Sequence, residues 1–467
     1  MNALLIKRQF AEPPAPIVLG SSERVSDIIE EWWGVYYRGE KIGYASQIIE
    51  PNAAGYAIRD HSELRLNLLG TNQTATTRVR MEVNLEWALD NFDFELQSGE
   101  VQFKASGRVS PGRLSIETVS AGHRATREIP LRQRPYLLAA LKPFAATQQL
   151  EENKEYYFPT FDPATLSQQV TKLVIEAREN IRIGDRVEPA LRVRQQFKGV
   201  SVVSWLDGSG RTLKEESPAG LSMARQSQGE ARKLDARRSV PLDLIAQTSI
   251  RLPAPIRNAA HKEVLRLRLT GFDPAGFSLS GGRQLFNQGI LEIRRELVDA
   301  APPMSLPVSD IRLVSYLQPT AFLQSDHPAI RTLAREITGA EKDVRKAALR
   351  INDWVYKNVS KKPTVSIPTA LEVLQTRRGD CNEHAVLFNA LARAAGIPAK
   401  TVVGVVHMRG AFYYHAWSEV WLGDWVTIDP VLNQFPADVT HVKFLEGDID
   451  RQIDILRLIG NLKIEVL

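Results

Sequence analysis

Residues 377–400 read RRGDCNEHAVLFNALARAAGIPAK, and their pattern determines how the last third of the chain folds. Asp380 stands where a helix N-cap is expected, and Glu383 follows three positions later, as in a capping box. The residues after them are good helix formers, and Gly396 suits the position that follows a helix. The sequence therefore predicts a helix over about Cys381–Ala395.

Cys381 is the only cysteine in the chain, and it falls in the first turn of this predicted helix. A single cysteine excludes disulfides within the chain and multi-cysteine metal sites. The unpaired N–H groups of a helix start favour a thiolate and can stabilise an oxyanion. Asp380 and Glu383 oppose a low thiol pKa, so a nucleophilic role needs a base nearby. The alternative is a buried, inert side chain.

A β-hairpin is predicted after this helix. Residues 412–430 read FYYHAWSEVWLGDWVTIDP, which is two apolar runs around a turn at Gly423-Asp424. Side chains alternate between the two faces of a strand, and His415 shares one face with Trp417. Whether Asp429 lies on the same face depends on the register of the hairpin.

The length of the hairpin loop sets that register. A two-residue loop pairs Leu422 with Trp425 and places His415 and Asp429 on opposite faces. A three-residue loop pairs Trp421 with Trp425 and places Asp429 diagonal to His415 on one face. We predict the three-residue loop, with a left-handed conformation at one of its last two residues.

A carboxylate beside an imidazole can hold the ring in one tautomer and stabilise the imidazolium. Each residue also has a structural interpretation, since His415 can be a packed strand histidine and Asp429 a turn residue before Pro430. The combination of Cys381, His415 and Asp429, each in its local context, favours a Cys–His–Asp site over three separate structural roles.

These motifs resemble the core of the transglutaminase-like superfamily, in its bacterial type with β-rich domains ahead of the core. The resemblance covers about residues 310–435. The matching stretches are Gly379-Asp380-Cys381, His415-Ala416-Trp417-Ser418-Glu419-Val420 and Asp429-Pro430, with support from Trp354-Val355-Tyr356 and Gly396-Ile397-Pro398.

The resemblance implies a papain-like mechanism with a catalytic triad. Cys381 attacks a carboxamide or peptide carbonyl, His415 moves the proton, Asp429 orients the imidazole, and water or an amine resolves the thioester. Some members use a Trp or Gln as oxyanion donor, but we expect Trp354 to pack in the core. No acidic loop has calcium-binding spacing, so we expect no metal and no cofactor.

Two other histidines are weaker candidates. His384 follows Glu383 in the same helical turn, where a surface or supporting role is as good an interpretation as a catalytic one. His407 ends a predicted buried strand, which begins at about Lys400, and a structural role is expected.

The first half of the chain is predicted to be an antiparallel β-rich region, a sandwich or half-barrel. Gly, Asn, Asp and Pro separate its strands, Asp207-Gly208-Ser209-Gly210 predicts a hairpin, and residues 135–144 predict a helix. The predicted strands lie within residues 33–49, 56–68, 74–89, 92–104, 113–120, 170–178 and 190–197.

The fold class expected for the whole chain is α+β, with the transglutaminase-like (papain-like) domain at the C-terminal end. A small β-rich domain includes a half-buried strand at Leu265–Leu269, and helical spacing marks residues 332–338 and 342–358. The predicted domains are a tail and linker at 1–30, the β-rich domain at 31–235, the small β-rich domain at 236–304, the catalytic domain at 305–445 and a C-terminal tail at 446–467.

Composition limits the partners. The net charge is +5, from 59 basic and 54 acidic residues that are scattered along the chain, so no nucleic acid is expected. No apolar stretch is long enough to span a bilayer. The compartment stays unassigned: the chain as written reads as cytoplasmic, and a missing N-terminal signal or anchor would place it in the periplasm or cell envelope.

Three functions remain open after this reasoning. Hydrolysis of a protein or peptide substrate, with cell-wall peptide among the candidates, is favoured, because bacterial proteins of this appearance are thought to act mostly as peptidases or amidases. Cross-linking acyl transfer is the second. A non-catalytic binding or scaffold protein is the third, and it predicts an unreactive Cys381.

Overall fold

The computed structural model describes residues 25–68, 70–147, 151–197, 199–217, 220–234, 243–298 and 303–467. Most of the predicted N-terminal tail and linker at residues 1–30 lies outside the described residues. Strands predominate, and the largest feature is an antiparallel sheet in the N-terminal half.

Fourteen strands form this sheet in the order β8-β7-β6-β5-β4-β3-β2-β1-β14-β13-β12-β11-β10-β9. Helix α1 (Leu138–Thr147) connects its two outermost strands. The strands are β1 (Ile29–Tyr37), β2 (Glu40–Pro51), β3 (Gly55–Leu68), β4 (Thr71–Asn84), β5 (Leu89–Ser98), β6 (Val101–Ser110), β7 (Arg113–Ser120), β8 (His123–Pro130), β9 (Glu155–Asp162), β10 (Ser167–Ile183), β11 (Arg186–Phe197), β12 (Val200–Leu206), β13 (Thr212–Glu216) and β14 (Leu221–Arg225).

Residues from both ends of this sheet pack into one apolar core. Phe92 and Phe103 come from the first half, Phe158 and Leu173 come from the second, and Phe144 of α1 packs among them. The sheet therefore curves over a shared interior, which the twist of a long antiparallel sheet favours. The predicted helix at residues 135–144 and the hairpin at residues 207–210 are both confirmed.

Two turns divide runs that we predicted as single strands. Within residues 74–89, β4 ends at Asn84, whose side chain accepts hydrogen bonds from two N–H groups of the turn, and Trp87 lies buried there at a φ of 62°. Within residues 92–104, the chain turns at Gly99, whose φ is 60°. Both single-strand predictions are wrong. Apolar alternation continues across the first turn, whereas at Gly99 it shifts by one position.

The remaining regular elements form the C-terminal half. In chain order they are α2 (Gln228–Arg232), α3 (Leu244–Thr248), β15 (Ile250–Arg251), β16 (Val264–Thr270), β17 (Gln284–Asn287), β18 (Ile290–Arg294), α4 (Pro328–Thr338), α5 (Val344–Asn358), β19 (Ser360–Lys361), α6 (Ala370–Thr376), β20 (Arg378–Gly379), α7 (Cys381–Ala394), β21 (Ala399–Met408), β22 (Ala411–Trp421), β23 (Trp425–Ile428), β24 (Val442–Glu446), α8 (Ile449–Gln452) and β25 (Lys463–Val466), with 3-10 turns at Ala259–His261, Ile311–Tyr316 and Ile453–Arg457.

A four-stranded sheet has the order β17-β18-β16-β25. In β16, Leu265, Leu267 and Leu269 are buried between exposed residues, as their alternation predicts. Residues 446–467, which we expected to form a tail, contribute β25 to this sheet. Leu267 of β16 pairs with Val466 of β25.

The C-terminal helices pack on a five-stranded sheet, in which β15-β22-β21-β24 are neighbours and β23 pairs with β22. Helix α7 is the centre of this layer, since most of its residues are buried and it contacts α4, α5 and α6. Apolar residues of α5 and α7 share a core with Val420 and Ile428 of the sheet. In the described part of the chain, no helix is both long and apolar enough to cross a membrane.

Candidate active site

The start of helix α7 is fixed by the predicted capping box. The Asp380 carboxylate accepts a hydrogen bond from the Asn382 N–H at 3.0 Å, and the Glu383 carboxylate accepts one from the Asp380 N–H at 2.9 Å. Glu383 also accepts a hydrogen bond from the Ser366 hydroxyl. The helix therefore begins at Cys381, in the position predicted for it.

Cys381 is a free, half-buried thiol at this helix start. Burial raises its pKa well above the ordinary value, and the charges of Asp380, Glu383 and Asp429 raise it further. A hydrogen bond from the backbone N–H of Ala416 to the sulfur acts in the opposite direction. The thiol therefore needs a base to take its proton, as the two nearby carboxyl groups led us to expect.

The hairpin of β22 and β23 has the predicted register. Trp421 pairs with Trp425 and Ser418 with Ile428, so the loop contains three residues. Gly423 adopts a φ of 96°, the positive value predicted for one of the last two loop residues.

This register brings His415 and Asp429 together. The distance from His415 Nε2 to Asp429 Oδ2 is 2.8 Å, and both side chains are buried. Because Nε2 faces the carboxylate, Nδ1 is the ring nitrogen left for another partner.

Asp429 is held as a carboxylate by four hydrogen bonds. Its Oδ1 accepts from the N–H groups of Val431 and Leu432, at 2.7 and 3.0 Å. Its Oδ2 accepts from His415 and also from His441 Nε2, at 2.9 Å. Burial alone would raise the pKa of this carboxyl, but the two histidines hold it far below its usual range.

His441 is a site residue that the sequence reasoning missed. Its side chain is fully buried, and it stands directly before β24. Strand β24 pairs with β21, β21 with β22, and β22 with β23, which ends directly before Asp429, so three steps of strand pairing separate His441 from Asp429. No local motif in the sequence marks that contact.

Gly404 of β21 lies in close contact with the backbone of β24 beside the site. It lies opposite His415 in the pairing of β21 with β22. A Cβ atom at this position would come within 1.9 Å of the Val442 carbonyl oxygen and 3.1 Å of the Trp417 ring. A residue without a side chain is therefore required where β24 approaches β21.

Charged side chains line a cavity of about 270 Å³ beside the site. Lys400 lies 3.1 Å from Glu419 and 2.6 Å from Glu446, and Lys443 lies 2.8 and 2.7 Å from the same two carboxylates. The four groups form a closed ring of opposite charges. Trp417 and His441 form the side of this cavity nearest His415.

The ring nitrogens of His415 and His441 and a carboxylate oxygen of Asp429 lie within 4.8 Å of one another, a spacing that a metal ion can use. Asp429 Oδ2 already lies at hydrogen-bond distance from both ring nitrogens. We therefore interpret the three residues as a hydrogen-bonded cluster.

The other residues considered as site candidates have contacts that suit supporting or structural roles. His384 is fully buried, with Nδ1 at 2.6 Å from the Asp380 carbonyl oxygen and Nε2 at 3.2 Å from that of Val359. Of the interpretations left open, the surface role is therefore excluded, and a supporting role at the helix start fits these contacts. His407 Nε2 lies 3.3 Å from a backbone N–H, as suits a structural role. Trp354, which belongs to α5, is half-buried and packs against the core, as expected.

One model of a known protein family matches part of this chain. Residues 331–430 match the family model described as the Transglutaminase-like superfamily, and they include Cys381, His415 and Asp429. This part of the chain is a transglutaminase-like domain.

The curated relatives carry no assigned activity. An uncharacterized Haemophilus influenzae protein is 29% identical over 118 residues, which are 24% of this chain and 31% of the relative. An uncharacterized Mycobacterium leprae protein is 27% identical over 182 residues, which are 33% of this chain and 64% of the relative. The chain thus spans less than two thirds of either relative.

Among solved structures, a Cytophaga hutchinsonii chain provisionally described as a cysteine protease is 19% identical. The match covers 44% of this chain and 81% of that chain, with a TM-score of 0.29.

Proposed function

We propose that this protein is a thiol enzyme that attacks amide or peptide carbonyls through a thioester intermediate. The transglutaminase-like match supports a thiol enzyme in general. The observation that carries the finer proposal is the buried hydrogen bond of 2.8 Å between His415 Nε2 and Asp429 Oδ2. The next residue after His415 is Ala416, whose N–H donates to the sulfur of Cys381.

In this proposal His415 acts as a general base through Nδ1. Because burial raises the pKa of the Cys381 thiol, the proton leaves as the sulfur attacks the carbonyl carbon. Nδ1 takes that proton, and the Asp429 carboxylate stabilises the resulting imidazolium. The imidazolium then protonates the leaving amine, and the C–N bond breaks to give the thioester.

Negative charge develops on the carbonyl oxygen during the attack. Cys381 is the first residue of α7, and a backbone N–H at that position has no acceptor within its own helix. We assign this N–H as an oxyanion donor, supported by the positive end of the helix dipole.

Water is the proposed acceptor of the acyl group. It loses a proton to His415 and attacks the thioester carbon. The C–S bond then breaks to release a carboxylic acid, and the imidazolium returns the proton to the sulfur of Cys381. A primary amine that attacks the same thioester would give the cross-linking reaction instead. Protein or peptide is the proposed substrate class, and cell-wall peptide is included in it.

Alkylation of Cys381 by iodoacetamide as a function of pH tests the proposed pair. With one thiol in the chain, the signal is unambiguous. We expect the wild type to react at neutral pH and His415→Ala to react only when the pH approaches the raised thiol pKa. His407→Ala, which changes a half-buried histidine outside the site, is the control. Identical profiles for the wild type and His415→Ala would favour a non-catalytic binding protein.

A further inference from the structure

Two imidazoles share one carboxylate oxygen in this site. Asp429 Oδ2 lies 2.8 Å from His415 Nε2 and 2.9 Å from His441 Nε2. A thiol, one imidazole and one carboxylate suffice for the proposed mechanism, which assigns no role to the second imidazole. His441 is also fully buried, and a polar ring in that environment requires partners.

A second carboxylate stands on the far side of His441. Asp438 Oδ1 lies 3.4 Å from His441 Nδ1. Asp438 is itself oriented by Thr440, whose N–H and hydroxyl donate to the same oxygen at 2.8 and 2.6 Å. Gln434 donates to its other oxygen at 3.1 Å. His441 is thus enclosed between two fixed carboxylates.

The backbone of this segment is fixed as well. The guanidinium of Arg283 is buried and donates to the carbonyl oxygens of Ala437, Asp438 and His441. The Trp417 ring meets His441 edge to face, with the ring centres 5.2 Å apart. The first contact fixes the backbone that carries His441, and the second packs one side of its ring.

We propose that His441 is a positioning residue, which holds Asp429 in the orientation that presents Oδ2 to His415. The site then consists of a chain of groups in the order Cys381, His415, Asp429, His441 and Asp438. This inference rests on the proposed function in one respect: the orientation of Asp429 matters for catalysis only if Cys381 and His415 react as proposed. The orientation itself is a property of the buried cluster.

The charge around His441 supports this role. Burial opposes its protonation, but hydrogen bonds and the charges of Asp429 and Asp438 outweigh burial and raise its pKa. A protonated ring donates to Asp429 from Nε2 and also faces Asp438 with an Nδ1–H, 3.4 Å from the carboxylate oxygen but without a hydrogen bond, whereas a neutral ring carries only one N–H. The other ionisable groups that contact it or share its cavity are His415, Arg283, Glu296, Tyr316, Lys400, Glu419, Asp424, Lys443 and Glu446.

Two substitutions of His441 distinguish the effect of its hydrogen bond from the effect of its ring volume. His441→Phe keeps the ring volume and removes both donors. His441→Gln keeps one amide donor that can reach Asp429. We expect His441→Phe to lower the alkylation rate of Cys381 at neutral pH roughly tenfold or more, as for other outer partners of a site histidine. We expect His441→Gln to retain most of that rate, and His407→Phe to retain all of it.

NMR of the His415 ring is a second measurement, and it does not depend on the reactivity of Cys381. After selective 15N labelling of the histidines, we expect a slowly exchanging Nε2–H signal from His415 in the wild type, in His441→Gln and in His407→Phe. The signal is expected to broaden or disappear in His441→Phe. If His441→Phe does not fold, Asp438→Asn, which removes only the outer carboxylate, is expected to weaken both readouts.

The two proposals fail in different ways. If Cys381 reacts at the same rate with and without His415, the proposed function is wrong, and the His415 signal still decides the role of His441. If the wild type depends on His415 but His441→Phe keeps both its reactivity and its Nε2–H signal, His441 is not a positioning residue. If His441→Phe does not fold, wild-type values of both readouts in Asp438→Asn would overturn the role of the outer carboxylate and with it the proposal.

Discussion

Trp421 lies directly opposite Trp425 across a three-residue loop, and their ring centres are 5.5 Å apart. This pairing determines which face of the hairpin each later residue occupies. It places Asp429 on the face of His415, so the central contact of the site depends on the length of one short loop.

Deletion of Gly423 tests this dependence. After the deletion, Trp421 can stay opposite Trp425 only across a two-residue Leu422-Asp424 turn, which has no glycine for the positive φ that such turns need. A three-residue loop is kept only if the strands slip by one residue, and this slip turns Asp429 to the opposite face from His415. We expect Cys381 alkylation to fall to the level of His415→Ala and the Nε2–H signal of His415 to disappear. Deletion of Gly208, in the loop between β12 and β13, is the control for loss of one loop residue and is expected to change neither readout.

Stability in acid should depend on Asp429. Its pKa is far below the ordinary value, although burial opposes this, because His415 and His441 bind the ionised form. The stabilisation is present above about pH 4, where the carboxyl is ionised in both states, and is lost as the pH falls toward the folded pKa. In guanidinium unfolding at pH 5 and pH 3, we expect Asp429→Asn to lose less stability on acidification than the wild type.

The exposed Asp273 provides the matched control for that experiment. Asp273→Asn should keep the acid dependence of the wild type. An equal loss of stability in Asp429→Asn and in the wild type would contradict the depressed pKa.

Substitution of Gly404 should destabilise the sheet beside the site. In Gly404→Ala, the added Cβ meets the Val442 carbonyl at 1.9 Å, and neither backbone can move without disturbing the pairing of β21 with β24. We expect a loss of about 1–3 kcal/mol in the free energy of unfolding. Gly208→Ala, where the Cβ meets no atom within 4 Å, should have little effect. Equal stability of the two variants would show that β24 can shift freely.

Glu372 should make the contact between the two halves of the chain sensitive to pH. Its carboxylate lies 3.4 Å from the Ser120 hydroxyl of β7, and burial, with the charge of Glu383, raises its pKa to about 7. A raised carboxyl pKa means that stability is highest below the unfolded pKa and falls as the pH rises to the folded value. The loss between pH 4.5 and pH 7 is at most about 3 kcal/mol.

Glu372→Gln removes this titration. We expect its stability to change less than that of the wild type between pH 5 and pH 8, measured by guanidinium unfolding. An exposed control is Glu263→Gln, which should behave as the wild type. If Glu372→Gln keeps the full wild-type pH dependence, another group controls the interface.

The sequence could predict the hairpin and the helix start because both depend on residues close in the chain. Asp380 and Glu383 form a capping box within four residues, and His415 and Asp429 meet within one hairpin. These interactions follow from local geometry, so periodicity and turn chemistry were sufficient.

The contacts that the sequence did not predict join distant segments. His441 reaches Asp429 only because β24 pairs with β21, and residues 463–466 form a strand only because β16 is available to them. Trp87 interrupted a predicted strand because a buried turn can retain apolar alternation. Tertiary pairing decides each of these cases, and a single sequence does not encode it in any local pattern.

The order of strands in the large sheet has a consequence for how that half of the molecule assembles. Among its described strands, every neighbouring pair is consecutive in the chain except β1 and β14, which join from Trp33 with Arg225 to Tyr37 with Leu221. Two meanders can therefore form independently from short-range hairpins, and one distant seam remains to be closed. Loop entropy opposes only that last step, so β1, at the middle of the finished sheet, becomes fully paired only when its far neighbour arrives.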